Sequence, residues 1–162
     1  MQLSDSIKYR TLPVPLELQV YRELENEAKN KQIAAPQLAS TIVLEYLADK
    51  NDVFRKQAEQ QRAEIRLMGA VNAIITAIAN EDRWDEHVTA QIFDRIKAEH
   101  LSDYHDAIQA GNKARVNRQI GSAVKDGLNA TVVTKNGKRV HKRPSIKNLP
   151  LIQSYTLLTR SK

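Results

Sequence analysis

No cysteine occurs in the 162 residues, which excludes a disulfide framework, a thiolate metal site and a thiol nucleophile, and fits a reducing cytoplasm, the compartment expected here. Glycine is scarce, with five in the whole chain, and the five are too dispersed to form a phosphate-cradling loop. Aromatic residues make up 5% of the sequence, too few to supply a platform on which the bases of a single strand would stack. Long apolar runs are missing as well. The longest, residues 67–79, is shorter than the ~20 residues that cross a bilayer, and "MQLSDSIKYR" lacks the charged-then-apolar pattern of an export signal. No membrane association is expected.

Catalytic and metal chemistry is equally thin. Glu99, His100, His105 and Asp106 lie close in sequence, but their spacing is not that of the two-histidine helix motif that binds zinc. Glu81, Asp82, Asp85 and Glu86 read as charge at a helix start, where the helix dipole favours it, rather than as paired catalytic carboxylates. Nothing assembles around a hydroxyl nucleophile. The expectation is therefore a protein with no metal, no cofactor and no enzymatic activity.

What the chain does have is positive charge in one place. The net charge is +6, but residues 111–162 carry twelve Lys or Arg and one acid, Asp126, while residues 1–110 carry thirteen bases and eighteen acids. The first part is then at −5 and the second at +11. An asymmetry of this size points to a polyanionic partner for the basic part. The densest stretch is "NKARVNRQIGSAVKDGLNATVVTKNGKRVHKR", residues 112–143.

Periodicity divides the chain into four regions, and the expected fold is mainly α with small β elements. In residues 1–50, Leu12, Val14 and Leu16 alternate with Thr11, Pro13 and Pro15, the period of a half-buried strand. Val20, Leu24 and Ala28, then Leu38, Ile42 and Leu47, take helical spacing on either side of "NKQIAAP". Residues 51–81 read as one long central helix, with Met68, Val71, Ile75 and Ile78 in steps of three and four. That seam suits either a second copy of the helix or the core of its own chain.

Residues 82–149 begin with Trp84, read as a packing anchor, and a helix marked by Val88, Ile92, Phe93 and Ile96. Ser102 offers an N-cap to the next helix, and Gly111 a stop. Val116, Ile120 and Val124 mark a third helix, closed by Gly127. Asn136-Gly137 between valine-rich runs is the pair suited to a type I′ hairpin turn, since both positions need positive φ. Residues 150–162 hold a β-prone run, "LIQSYTLLT", that reads as a third strand or as a tail that binds a protein partner.

Residues 8–48, by this strand, helix, turn and helix pattern, resemble the ribbon-helix-helix family. The resemblance implies an obligate homodimer through Leu12, Val14 and Leu16, which also answers the difficulty that a module of about 50 residues has in burying its own core. It further implies DNA contact from the ribbon, with Lys8, Arg10 and Thr11 as candidates. Proline at 13 and 15 offers no group with which to read a base edge, so a ribbon that only dimerises is the other reading. Met68, Val71 and Ile75 extend the candidate dimer contact along the central helix.

"HDAIQAGNKARVNRQIGSAVKDGL" followed by "TVVTKNGKRVHK" resembles a winged helix-turn-helix over residues 85–143. The resemblance implies a recognition helix presenting Lys113, Arg115, Asn117, Arg118 and Gln119, and a wing carrying Lys135, Lys138, Arg139, Lys142 and Arg143. Arg reads guanine and Asn or Gln reads adenine in bidentate fashion, while Lys neutralises phosphate. The function expected is that of a dimeric, sequence-specific protein that binds double-stranded DNA, first as a transcriptional regulator of bacterial, plasmid or phage type. A plasmid-transfer or partition accessory protein, an antitoxin or adapter with a merely dimerising ribbon, and an RNA-binding protein are the alternatives.

Overall fold

The computed structural model describes residues 13–31, 33–81, 84–144 and 150–161. Lys8, Arg10, Thr11 and Leu12 lie outside the described residues. Residues 13–17 join no helix and no sheet, and Val14 and Leu16 are exposed. The chain then enters α1, Leu18–Asn30, turns, and enters α2, Ala35–Ala48. Pro36 stands in the first turn of α2, where its fixed φ suits a helix and its missing N–H costs nothing.

These two helices bury little. Among the residues of α1 only Ala28 is buried, and in α2 only Leu38, Thr41 and Ala48 are. Val14, Leu18, Val20, Ile42, Val43 and Tyr46 are all exposed. The sequence "LASTIVLEYLA" of α2 is apolar around most of its circumference, as expected of a helix buried on several sides. Among the described residues, the large exposed apolar side chains apart from Leu101 all fall between positions 14 and 53.

Helix α3, Asp52–Glu81, is about 45 Å long at 1.5 Å per residue. Asn51 starts it, its Oδ1 accepting the N–H of Val53 at 2.9 Å, the usual relief for an orphan first-turn donor. The first half of α3 lies on α2, tied by the Arg62–Glu45 ion pair at 2.8 Å. Its second half is core: Leu67, Val71, Ile74, Ile75 and Ile78 are buried.

The partners of that half come from the same chain. They are α4, Val88–Glu99, α5, Leu101–Ala107, and α6, Lys113–Gly127, the last two joined by a 3-10 turn at Gln109–Gly111. Val71 and Ile75 are 0% and 4% exposed in the isolated chain, so the expected intermolecular seam is corrected to an intramolecular core. Met68 is partly buried against the same cluster. Helix α5 starts one residue before Ser102 and has no side-chain cap. Gly127 has a packing role beyond closing α6: a Cβ there would stand 2.7 Å from Cγ2 of Ile75, so glycine is what lets α6 approach α3.

Among the described residues six short strands follow: β1, Ala130–Val132; β2, Thr134–Lys135; β3, Lys138–Arg139; β4, His141–Lys142; β5, Tyr155–Thr156; and β6, Leu158–Arg160. They form three two-stranded antiparallel ladders, β1 with β6, β2 with β3 and β4 with β5. The β2–β3 turn has Asn136 at φ 53° and Gly137 at φ 72°, the positive values a type I′ turn requires.

The three ladders meet at one point. The N–H of Val133 donates to the carbonyl of Leu157, that of Val140 to Val133, and that of Leu157 to Val140, each at 3.0 Å. This closed cycle satisfies the backbone where each segment changes partner, and it fixes the hairpin to the body of the protein. Ile152, Tyr155, Leu157 and Leu158 are buried in the main core. Of the two readings of this segment, strand or tail, the described residues 150–161 take the first: they are strand and core. No helix among the described residues is long and apolar enough to cross a membrane.

Candidate nucleic-acid interface

Helix α6 has three kinds of surface. Val116, Ile120 and Val124, four residues apart, are each at most 1% exposed, and burial of such side chains stabilises by roughly 1.5–3 kcal/mol apiece. Lys113, Arg118 and Lys125 are exposed on a second face, which also carries Ala114, Gly121 and Ser122 and forms one wall of a groove. Arg115 belongs to a third. Its Nη2 pairs with Oε1 of Glu64 on α3, and its Nη1 donates to Oε1 of Gln119 at 3.4 Å.

Glu64 is 8% exposed, and a carboxylate so enclosed requires a charged partner. Arg115 supplies it. Asn117 is also engaged, its Oδ1 accepting the Tyr104 hydroxyl at 2.9 Å. Tyr104 is 1% exposed, and burial holds its phenol above the ordinary value, with the Asn117 hydrogen bond acting the other way. Of the expected base-reading residues, Arg115 and Asn117 therefore serve the interior, whereas Lys113, Arg118 and Gln119 are exposed. Arg118 donates from Nε to the Ala114 carbonyl of its own helix at 3.2 Å.

The hairpin is basic throughout. Lys135, Lys138, Arg139, Lys142 and Arg143 are all exposed, and Lys135 faces Lys138 across the β2–β3 ladder. Like charges directly opposite one another are unfavourable in a two-stranded ladder. Neither these five nor Lys113, Arg118 and Lys125 enter an ion pair among the described residues.

Between α6 and the strands lies a half-open groove of about 860 Å³. Lys113, Arg118 and Lys125 line one side, Arg139 and His141 the other, and Phe93, Val132, Ile152 and Leu158 supply apolar lining. No acid is among its lining residues. His141 is held by Thr156, Nδ1 to Oγ1 at 3.3 Å, and Tyr155 by His87 Nδ1 at 2.8 Å. Tyr155 has its phenol held above the ordinary value by burial first, then by the carboxylates of Asp85, Glu86 and Asp94. Away from Tyr155, the positive charge of the groove is that of the α6 cations and Arg139 on its two sides.

Lys125 was not among the residues expected to bind. It stands seven residues after Arg118, two turns along the same face, so the helical period itself was the available signal. Trp84 packs against the core, with the Arg160 guanidinium 5.4 Å from its ring centroid. No group of three or more His, Asp or Glu that could hold a metal occurs among the described residues. Comparison with family models, with curated proteins and with solved structures gives no match for this chain.

Proposed function

We propose that the protein binds double-stranded DNA as a homodimer and acts as a regulator of transcription. One observation carries the reading: eight exposed cations on α6 and the hairpin have no anionic partner among the described residues, in a region with a single acid. So many unpaired charges repel one another, and phosphates relieve that repulsion while releasing the counterions condensed on DNA. The hairpin is anchored through its valines to the core, so its lysines are held on a rigid support.

Base reading falls to Arg118 and Gln119 of α6, with Lys113, Lys135, Lys138, Arg139, Lys142 and Arg143 on phosphates. The homodimer is supported by the exposed apolar surface of α1 and α2, which a second copy would cover. Service in plasmid transfer or partition uses the same chemistry. Selection of bound fragments from randomised DNA by the full chain tests the reading: a two-fold-symmetric site is expected, and recovery of no preferred sequence overturns specific binding. RNA is the competing polyanion, and an RNA duplex added as competitor should displace the DNA poorly.

A further inference from the structure

We propose that the groove between α6 and the strands is a binding site for a small organic phosphate with a flat apolar body, of the size of a nucleoside monophosphate. This goes beyond the duplex reading, and it stands whether or not the hairpin tip meets DNA.

Shape is the first ground. The Lys113, Arg118 and Lys125 face of α6 is the wall of a concavity of about 860 Å³. That volume is within the roughly 300–1,000 Å³ of small-molecule sites.

The lining supplies a complementary chemistry. Four cations converge from two elements, Lys113, Arg118 and Lys125 from α6 and Arg139 from β3, with no lining acid to neutralise them. Phe93, Val132, Ile152 and Leu158 add apolar contact. A cationic rim over an apolar floor suits a phosphate joined to a planar body, and it suits neither a bare anion nor a neutral apolar molecule. The carboxylates of Asp85, Glu86 and Asp94, which act on Tyr155, set the polarity. The phosphate goes to the α6 end and the body towards Tyr155.

Gly121 adds room on the same wall. It sits in the middle of α6, where glycine costs about 0.5–1 kcal/mol relative to alanine. Gly127 is explained by its contact with Ile75, but a Cβ on Gly121 would meet nothing within 4 Å. Packing within the chain does not call for a glycine at 121. What it provides is open space on the groove wall, between Arg118 and Lys125.

Isothermal titration of the full chain with the four common ribonucleoside monophosphates, with adenosine and with inorganic phosphate tests this. At least one monophosphate should saturate one site per chain, about tenfold or more tighter than adenosine or phosphate alone, as expected when a charge-assisted contact and apolar burial both count. Gly121→Leu fills the groove without removing charge, and the open space around Gly121 lets it fold with unchanged or raised thermal stability. It should weaken binding about tenfold or more, as should Arg118→Ala, while Lys135→Ala with Lys138→Ala should stay within about twofold. Absence of saturable binding overturns the proposal. So does equal affinity for inorganic phosphate, and so does undiminished binding by a folded Gly121→Leu protein. If that variant instead loses duplex DNA while no monophosphate binds the parent, the groove belongs to the DNA surface. The present inference then falls while the duplex reading stands.

Discussion

Replacing Arg115 with alanine should destabilise the protein and leave its salt-dependent DNA binding nearly intact. The side chain of Glu64 is 11% exposed and that of Arg115 38% exposed. Removal of the arginine strands a nearly buried carboxylate. Removal of one partner of a fully buried pair costs about 3–5 kcal/mol, and the partial exposure of Arg115 reduces this through solvent screening. An effect of about 2–3 kcal/mol is therefore expected for Arg115→Ala, read as a fall of about 2–4 °C in Tm per kcal/mol for a chain of this size.

Glu64→Gln is the milder change. It leaves a guanidinium that reaches water and an amide that still accepts a hydrogen bond, so its cost should be about 1 kcal/mol. The asymmetry, with the arginine variant worse than the glutamine variant, is the signature of the pair. Urea unfolding of both variants and of the double mutant measures it, and anisotropy titration on duplex DNA at several salt concentrations supplies the functional arm. If Arg115→Ala is as stable as the parent to within about 0.5 kcal/mol, and its salt slope falls by about one, the arginine serves phosphate and the placement argued above is wrong.

Further outcomes follow from the same geometry. Gly127→Ala puts a methyl 2.7 Å from Ile75 Cγ2 and should cost about 1–3 kcal/mol by overpacking, whereas Gly121→Ala should stabilise by up to ~1 kcal/mol; thermal melts compare the two. Ile42→Lys with Tyr46→Lys should shift sedimentation from dimer to monomer without loss of helical signal, because both side chains are exposed in the single chain, and an unchanged dimer would remove α2 from the interface. Stability should fall as pH rises past about 10, since burial holds the phenols of Tyr104 and Tyr155 above their ordinary value in the folded protein. The unfolded chain then ionises first, and each contribution is present below pH 10 and lost above it. Equilibrium unfolding at pH 8 and pH 11 checks the sign, with Tyr104→Phe expected to flatten the profile.

The elements were legible in the sequence wherever their signal was local. Helical spacing marked α3, α4 and α6, and Asn136-Gly137 marked the hairpin, because each depends on residues within a few positions of one another. Partners at long range left no such trace. Arg115 and Glu64 are 51 positions apart, so composition alone counted a satisfied arginine as a free one. The joint of Val133, Val140 and Leu157 depends on a residue 24 positions after Val133, and "LIQSYTLLT" by itself reads equally as strand or tail. The seam of Met68, Val71 and Ile75 has the same period whether it meets a second copy or its own chain, and only the positions of α4, α5 and α6 decide it.

The central claim is that the hairpin's unpaired cations are there for phosphate. The most direct test is a titration of specific and scrambled duplexes, at several salt concentrations, with the parent and with Lys135→Ala, Lys138→Ala and Arg139→Ala combined. The account predicts a salt slope lower by about one per residue removed, with affinity reduced alike on both duplexes and the sequence preference unchanged. An unchanged slope and an unchanged affinity on both duplexes would contradict it.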